Sequence, residues 1–186
     1  MANNPDPARM AWALTGSGHY LRECLELLKE LQGVDLFLSA AAAEILTMYG
    51  YSLDALRKKM RVFRDTTASS APVGLFYRGN YHTVVIAPAT SNTVAKCVQG
   101  ISDNLVTNIF AQAGKCGVPA IVFACDTEPE LESEAPRSIV KVYPRRIDLE
   151  NVERLQHFEA TRVVSDMTQL RQAVKARMTC LNAACS

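Results

Sequence analysis

Apolar residues in this chain gather into short, nearly continuous runs, separated by longer stretches in which they return every three or four positions. The runs are Met10 to Leu14, Val34 to Leu38, Thr83 to Ala87 and Val118 to Ala124. Runs this short and this apolar suit strands buried on both faces, since a half-exposed strand would alternate apolar with polar residues. Between them, His19 to Gln32 places Leu21, Cys24, Leu25, Leu28 and Leu31 at helical spacing, and Gly33 ends the pattern. Ala40 to Tyr49 reads as a second helix, with Ser39 as its N-cap. Ser91 to Gln112 carries Val94, Cys97, Val98, Ile101, Leu105, Ile109 and Phe110, the repeat of one long helix, with Gly100 either interrupting it or allowing close packing.

Other stretches are less regular. Ser52 to Asn80 holds a basic amphipathic piece (Leu53 to Met60), a polar turn (Asp65 to Ser70) and a loop through Ala71-Pro72-Val73-Gly74. Asp126 to Pro136 is acidic and contains prolines, which predicts a surface loop. A short strand at Ile139 to Val142, a helix from Asp148 to Phe158, a strand at Arg162 to Val164 and a helix from Asp166 to Ala176 complete the pattern. Apolar strands alternating with amphipathic helices predict an α/β fold: a Rossmann-like (flavodoxin-like) parallel sheet with helices on both faces. The expected organisation is one domain over 10–178, between an N-terminal tail (1–9) and a C-terminal tail (179–186).

Composition narrows the function classes. With 48% apolar and 21% charged residues the chain is an ordinary globular one, and no apolar run reaches membrane length. Twenty Lys and Arg against nineteen Asp and Glu leave a formal charge of +1, too little for a nucleic-acid footprint. The first nine residues have no apolar signal core, so a cytoplasmic location is expected. The six cysteines are scattered and form no C-x-x-C, which argues for reduced thiols and against a metal or iron–sulfur site.

Ligands of such sheets sit outside the carboxyl ends of the strands, and two loops there carry chemistry. Thr15-Gly16-Ser17-Gly18 joins strand to helix, so its amides and the helix dipole suit a phosphate, although a plain turn explains the sequence equally well. Ser39, at the next strand end, could add a hydroxyl or simply cap its helix. Ala87-Pro88-Ala89-Thr90-Ser91-Asn92-Thr93 sets four small polar residues in a row at a strand end. Capping accounts for one of them, whereas hydroxyls and an amide around the carbonyls and ribityl chain of a flavin account for all four.

At these residues the chain resembles a known family. APATSNTVAKCVQGISDNLVTN and TGSGHYLRE resemble the signature and phosphate loop of the homo-oligomeric flavin-containing family that includes phosphopantothenoylcysteine decarboxylases and flavin prenyltransferases. AWALTGSGHYL, VDLFLSAAA and IDLENVERL resemble its archaeoflavoprotein and dihydromethanopterin reductase (acceptor) branch. The resemblance covers most of Met10 to Leu155. It implies non-covalent FMN, with the phosphate at Gly16, Ser17, Gly18 and Ser39, and with ring and ribityl contacts from Ala87, Pro88, Thr90, Ser91, Asn92 and Thr93. It also implies a homo-oligomer built from trimers, with residues near Gly100, Asp103 and Asn104 belonging to the contact between protomers as well as to the site; the alternative for the Asp-Asn pair, placed within the long helix, is a cap or a solvent-facing position.

The chain departs from the decarboxylases of that family. Their upstream histidine falls at about Gly74 or Leu75, and their P-x-M-N-x-x-M-W segment is replaced after Ala124 by Cys125-Asp126-Thr127-Glu128-Pro129. The Arg-Glu-Thr-Pro-Leu stretch expected of a prenyltransferase gives way to CDTEPELESEAP, acidic where an isoprenyl phosphate needs cations. His82 reads as a packing residue, and His19 is equally a neighbour of the ligand. Asp126 reads first as a surface acid and second as an aid to protonation. The resemblance thus implies an oxidoreductase that reduces a dihydromethanopterin-type pterin using a separate electron donor. An FMN electron carrier that docks a redox protein and a flavin prenyltransferase are the alternatives, and no catalytic side chain is assigned.

Overall fold

The computed structural model describes residues 8–67 and 70–184, with side chains to 179. In chain order the elements of the first half are β1 (Arg9–Leu14), α1 (Leu21–Glu30), β2 (Val34–Leu38), α2 (Ala40–Met48), α3 (Leu53–Arg57), β3 (Arg61–Arg64), a 3-10 turn (Ala71–Val73), α4 (Gly74–Tyr77) and β4 (Tyr81–Ala89). The second half has α5 (Ser91–Gln99), α6 (Leu105–Lys115), β5 (Ala120–Ala124), β6 (Leu131–Ala135), β7 (Ser138–Val142), α7 (Arg146–Gln156), β8 (Thr161–Val164) and α8 (Met167–Ala184). Six strands form one sheet in the order β3-β2-β1-β4-β5-β8, and every pairing in it is parallel.

Alternation along β1 divides the core between the two faces. Trp12 and Leu14 pack with Leu28, Leu46 and Leu170 from α1, α2 and α8. Ala11 and Ala13 face the other way, toward Phe76, Val94, Ile109 and Leu155. Small residues on that face let bulkier side chains from α4 to α7 close over the sheet, so the expected double coverage is realised. From β1 the chain winds outward to β2 and β3, then returns to β4 and winds the other way. The carboxyl ends of β1 and β4 therefore flank a reversal of strand order, where a crevice opens between helices that leave on opposite faces.

The sequence-based expectation of one helix from Ser91 to Gln112 is corrected to two. Gly100, at φ 71°, takes the left-handed conformation that closes α5. The Asn104 side chain then accepts from the Thr107 amide at 3.0 Å, while the Thr107 hydroxyl accepts from the Asn104 amide at 3.2 Å. Asn104 is thus a cap, not an interior helical residue. The apolar repeat ran on across the break because both helices bury their faces against the same side of the sheet.

Arg9, assigned to a tail, opens β1, and α8 runs to Ala184, so the expected C-terminal tail from 179 is helical to that point. Residues 1–7 of the N-terminal tail, the last two residues and the side chains of Cys180 and Cys185 lie outside the described residues. The acidic loop contains β6, which pairs antiparallel with β7 in a hairpin apart from the main sheet. β3 was not foreseen. Its first residue, Arg61, reaches Asp35, which is completely buried on β2 and also accepts from Arg9 Nε at 2.8 Å and from the Tyr81 hydroxyl at 2.8 Å.

His82 sits at the amino end of β4, opposite the crevice, beside Thr83 and the Arg177 guanidinium. Burial, with Arg177 next, holds its pKa down to about 4 from the ordinary 6.5. The unfolded chain therefore takes up a proton as pH falls below 6.5 that the folded chain refuses until about 4, and stability falls across that window. His82→Gln should flatten the loss, measured as melting temperature against pH; parallel profiles for the two proteins would rule this contribution out.

Candidate functional site

The site grows from three strand ends. Beyond β1, Thr15 is buried and binds both sides of the next loop: its hydroxyl donates to the Pro88 carbonyl at 2.8 Å and accepts from the Thr90 amide at 3.0 Å. Trp12 fixes the same loop from below, its indole N–H donating to the Ala87 carbonyl at 2.9 Å. The Ala87-Pro88 peptide is cis. Ala87 and Pro88 thus act as the floor of the loop, held by β1.

Gly16 and Gly18 are required by packing. A Cβ on Gly16 would come within 2.8 Å of the Ala41 Cβ, and one on Gly18 would overlap the Tyr49 ring and hydroxyl, at 1.9 Å from the oxygen. Tyr49 cannot yield freely, because its hydroxyl donates to the Glu134 carbonyl of the hairpin at 2.9 Å. The loop therefore lies flat on α2. Among the described residues the amides of Gly16, Ser17 and Gly18 donate to no protein acceptor, so they remain available to a ligand.

Ser39, Thr90 and Asn104 each cap a helix, accepting from Ala42 N at 3.0 Å, Thr93 N at 3.3 Å and Thr107 N at 3.0 Å. These three helix starts meet around a cleft of about 340 Å³ lined by Gly16, Ser39, Asp65, Thr90, Asn92 and Thr93, with Asn104 at its edge. Converging N-termini present partial positive charge and favour an anion. Five of the expected site residues (Gly16, Ser39, Thr90, Asn92 and Thr93) share this cleft.

Ser17 and Ser91 face elsewhere. The Ser17 hydroxyl donates to the His19 carbonyl at 3.3 Å and accepts from the Cys125 thiol at 3.2 Å, beneath the loop. Burial pushes that thiol up to about 12, so it stays protonated and serves as a donor. The Ser91 hydroxyl donates to Asp126, half-buried just past β5. His19 is held below its ordinary value by burial, with Asp126, Glu23 and Glu134 acting against that trend.

Of the remaining cleft residues, Asp65 was not expected there from sequence, while Asn104 was brought near the site only by the resemblance. Thr15 stood in the loop motif, and its strand-end position was the available signal. Asp65 follows the edge strand β3 in an irregular stretch, and Asn104 takes the capping position that was one of its open readings.

A family model described as "Flavoprotein" matches residues 2–184. Dihydromethanopterin reductase (acceptor) of Methanosarcina mazei is 38% identical over 144 residues, 70% of this chain and 60% of that protein. The Methanocaldococcus jannaschii protein of the same name is 36% identical over 131 residues, 63% of this chain and 53% of its own length. The chain thus spans just over half of these curated relatives. Among solved structures, DmrB of Burkholderia xenovorans in complex with FMN, described as a cubic protein cage for redox transfer, is 55% identical. It superposes with a TM-score of 0.90 over 96% of this chain and 99% of that one.

Proposed function

The chain belongs to the Flavoprotein family, and from that premise we propose that it is an FMN-dependent oxidoreductase acting on a dihydromethanopterin-type pterin, with its electrons supplied by a separate donor. The observation that carries the cofactor is the cleft where three helix N-termini meet beside the free amides of the Gly16 to Gly18 loop. The residues present fit FMN. Gly16, with the caps Ser39 and Thr90, suits the phosphate, and Asn92 and Thr93 offer amide and hydroxyl groups to a polar chain. We retain Ser17 and Gly18 as contacts through their amides, because the Ser17 hydroxyl is engaged beneath the loop. Ser91 is retained as a contact at the start of α5, with Ala87 and Pro88 shaping the floor.

FMN supplies hydride or single-electron chemistry when bound. The chain's own residues would hold it through the Gly16 to Gly18 amides and the hydroxyl and amide groups of Ser39, Thr90, Asn92 and Thr93. The pterin is supported by the reductases named above, which are similar to this chain over the part they share. Residues 10–178 form the FMN-binding domain in this reading, and trimers are the building block of a homo-oligomer, in keeping with the cage formed by DmrB. Among the described residues no helix is long and apolar enough to cross a membrane, and the free, buried Cys24, Cys97 and Cys125 accord with a reducing cytoplasm.

Anaerobic stopped flow tests the function. Protein whose flavin has been reduced should be reoxidised stoichiometrically by dihydromethanopterin. A flavin that ferricyanide reoxidises, but no dihydropterin does, would overturn the reductase reading and leave an electron carrier.

A further inference from the structure

Resting on the homo-oligomer reading, we propose that the exposed face of β7, continued into the first turn of α7, is the surface on which a second copy of the chain docks to join one trimer to the next. Trimers held together only within themselves stay separate, so a larger closed assembly needs a second contact surface. Large apolar side chains left in water mark where such a surface lies. Of the eight that are exposed among the described residues, four (Ile139, Val140, Tyr143 and Ile147) fall within nine positions, from β7 into α7. The other four have different places. Met48 and Tyr77 stand on α2 and α4, which cover opposite faces of the sheet, and Ile101 and Phe158 border a groove with Gly100, where the resemblance puts the contact inside a trimer.

A two-stranded hairpin is marginal in water without further packing. Here β6 is tied to the body: the Tyr49 hydroxyl donates to the Glu134 carbonyl at 2.9 Å, and the Arg22 guanidinium approaches the Glu134 carboxylate at 3.7 Å. β7 pairs with β6 alone, so among the described residues its outer edge is open. A second copy supplies what is missing. Across a two-fold axis β7 runs antiparallel to its own copy, the direction in which strand edges pair most directly, and each apolar row faces an identical one. A surface that meets itself must also carry little net charge. Lys141, between Ile139 and Tyr143, is neutralised by Glu130 and lies 5.9 Å from the centre of the Tyr143 ring. Arg145 has Asp148 at 2.8 Å, and Arg146 has Glu150 at 2.6 Å. Across 130–150 four cations stand against five acids, and the extra acid, Glu134, has Arg22. Two copies thus approach without like-charge repulsion, whereas a partner steered by charge needs a surface of one sign.

The test compares the wild-type holoprotein with Ile139→Glu combined with Tyr143→Glu, and with Tyr77→Glu as a control at an equally exposed apolar residue on α4. Light scattering after gel filtration should give the wild type a mass above that of a trimer. The double variant should fall to the trimer mass with stoichiometric FMN still bound, and Tyr77→Glu should keep the wild-type mass. Hydrogen exchange gives a second reading, since the amides of 138–142 should be protected in the wild-type assembly and lose that protection in the double variant. The proposal falls if the double variant keeps the wild-type mass, if Tyr77→Glu dissociates equally, or if the 138–142 amides exchange as fast in the wild type as in the variant. It falls too if the double variant sheds FMN or drops to single chains, which marks damage to the fold or to the trimer itself. A wild type that is only a trimer removes this contact and leaves the homo-oligomer reading in place; a wild-type monomer removes both.

Discussion

Ser39→Asp empties the protein of FMN and leaves the apoprotein folded. Asp caps a helix as well as Ser does, so the bond to the Ala42 amide survives the change. The new carboxylate, however, stands at the cleft where the starts of α2, α5 and α6 meet and where the phosphate is proposed to bind. Like charges brought together at a binding site cost several kcal/mol, which weakens binding at least about 100-fold. Purification should yield colourless protein with an unchanged far-UV spectrum and melting curve. Riboflavin, which has no phosphate, provides the control, and its binding should not weaken comparably. Stoichiometric FMN in the variant would remove Ser39 from the phosphate site.

Asp35→Ala costs about 3 kcal/mol of stability, the low end of the loss expected when a buried ion pair is broken. The reason for the low end is geometric. The carboxylate is wholly buried, but the side chains of Arg9 and Arg61 are 35% and 49% exposed and turn to water once it is gone. Tyr81 has no such escape, since its hydroxyl loses its acceptor inside the core. Urea unfolding at one fixed protein concentration measures the effect, and Asp35→Asn, which keeps an acceptor for Tyr81, should lose less. A loss below about 1 kcal/mol would show that the cluster contributes little.

Strands buried on both faces were legible because their residues are nearly all apolar: β1, β2, β4 and β5 lie where the runs lie, with Asp35 on β2 the buried charged exception. Edge and peripheral elements obey weaker constraints. β3 pairs on one side only, and its first residue is an arginine drawn to Asp35, so its four residues carry no strand signal between the basic amphipathic piece and the polar turn. Of the hairpin, β7 falls where a short strand is expected at Ile139 to Val142, whereas the acidic β6 lies within the stretch expected to be a loop. The break between α5 and α6 was only one of two readings of Gly100, because a hydrophobic repeat records which face is buried and not whether the backbone is continuous. Gly100 followed by Asn104 and Thr107 was the available stop and start signal.

At the site, small polar residues at strand ends pointed to the end of the sheet where the cleft lies. They could not show which way each hydroxyl turns. Ser17 and Ser91 look equivalent to Ser39 in sequence, yet they bind Cys125 and the His19 carbonyl in one case and Asp126 in the other. Those partners lie 108, 2 and 35 residues away, and the fold brings the two distant ones together.

The three helix starts around the cleft also decide how an anion is captured. With a formal charge of +1, the chain has almost no net charge from which to cast a long-range field. Attraction arises instead from peptide dipoles that act within the first helical turn, well inside the roughly 8 Å over which physiological salt screens charge. At the proposed phosphate site capture is then a contact-range event: net charge does not steer the encounter, and the dipoles act on an anion only once it is within the cleft.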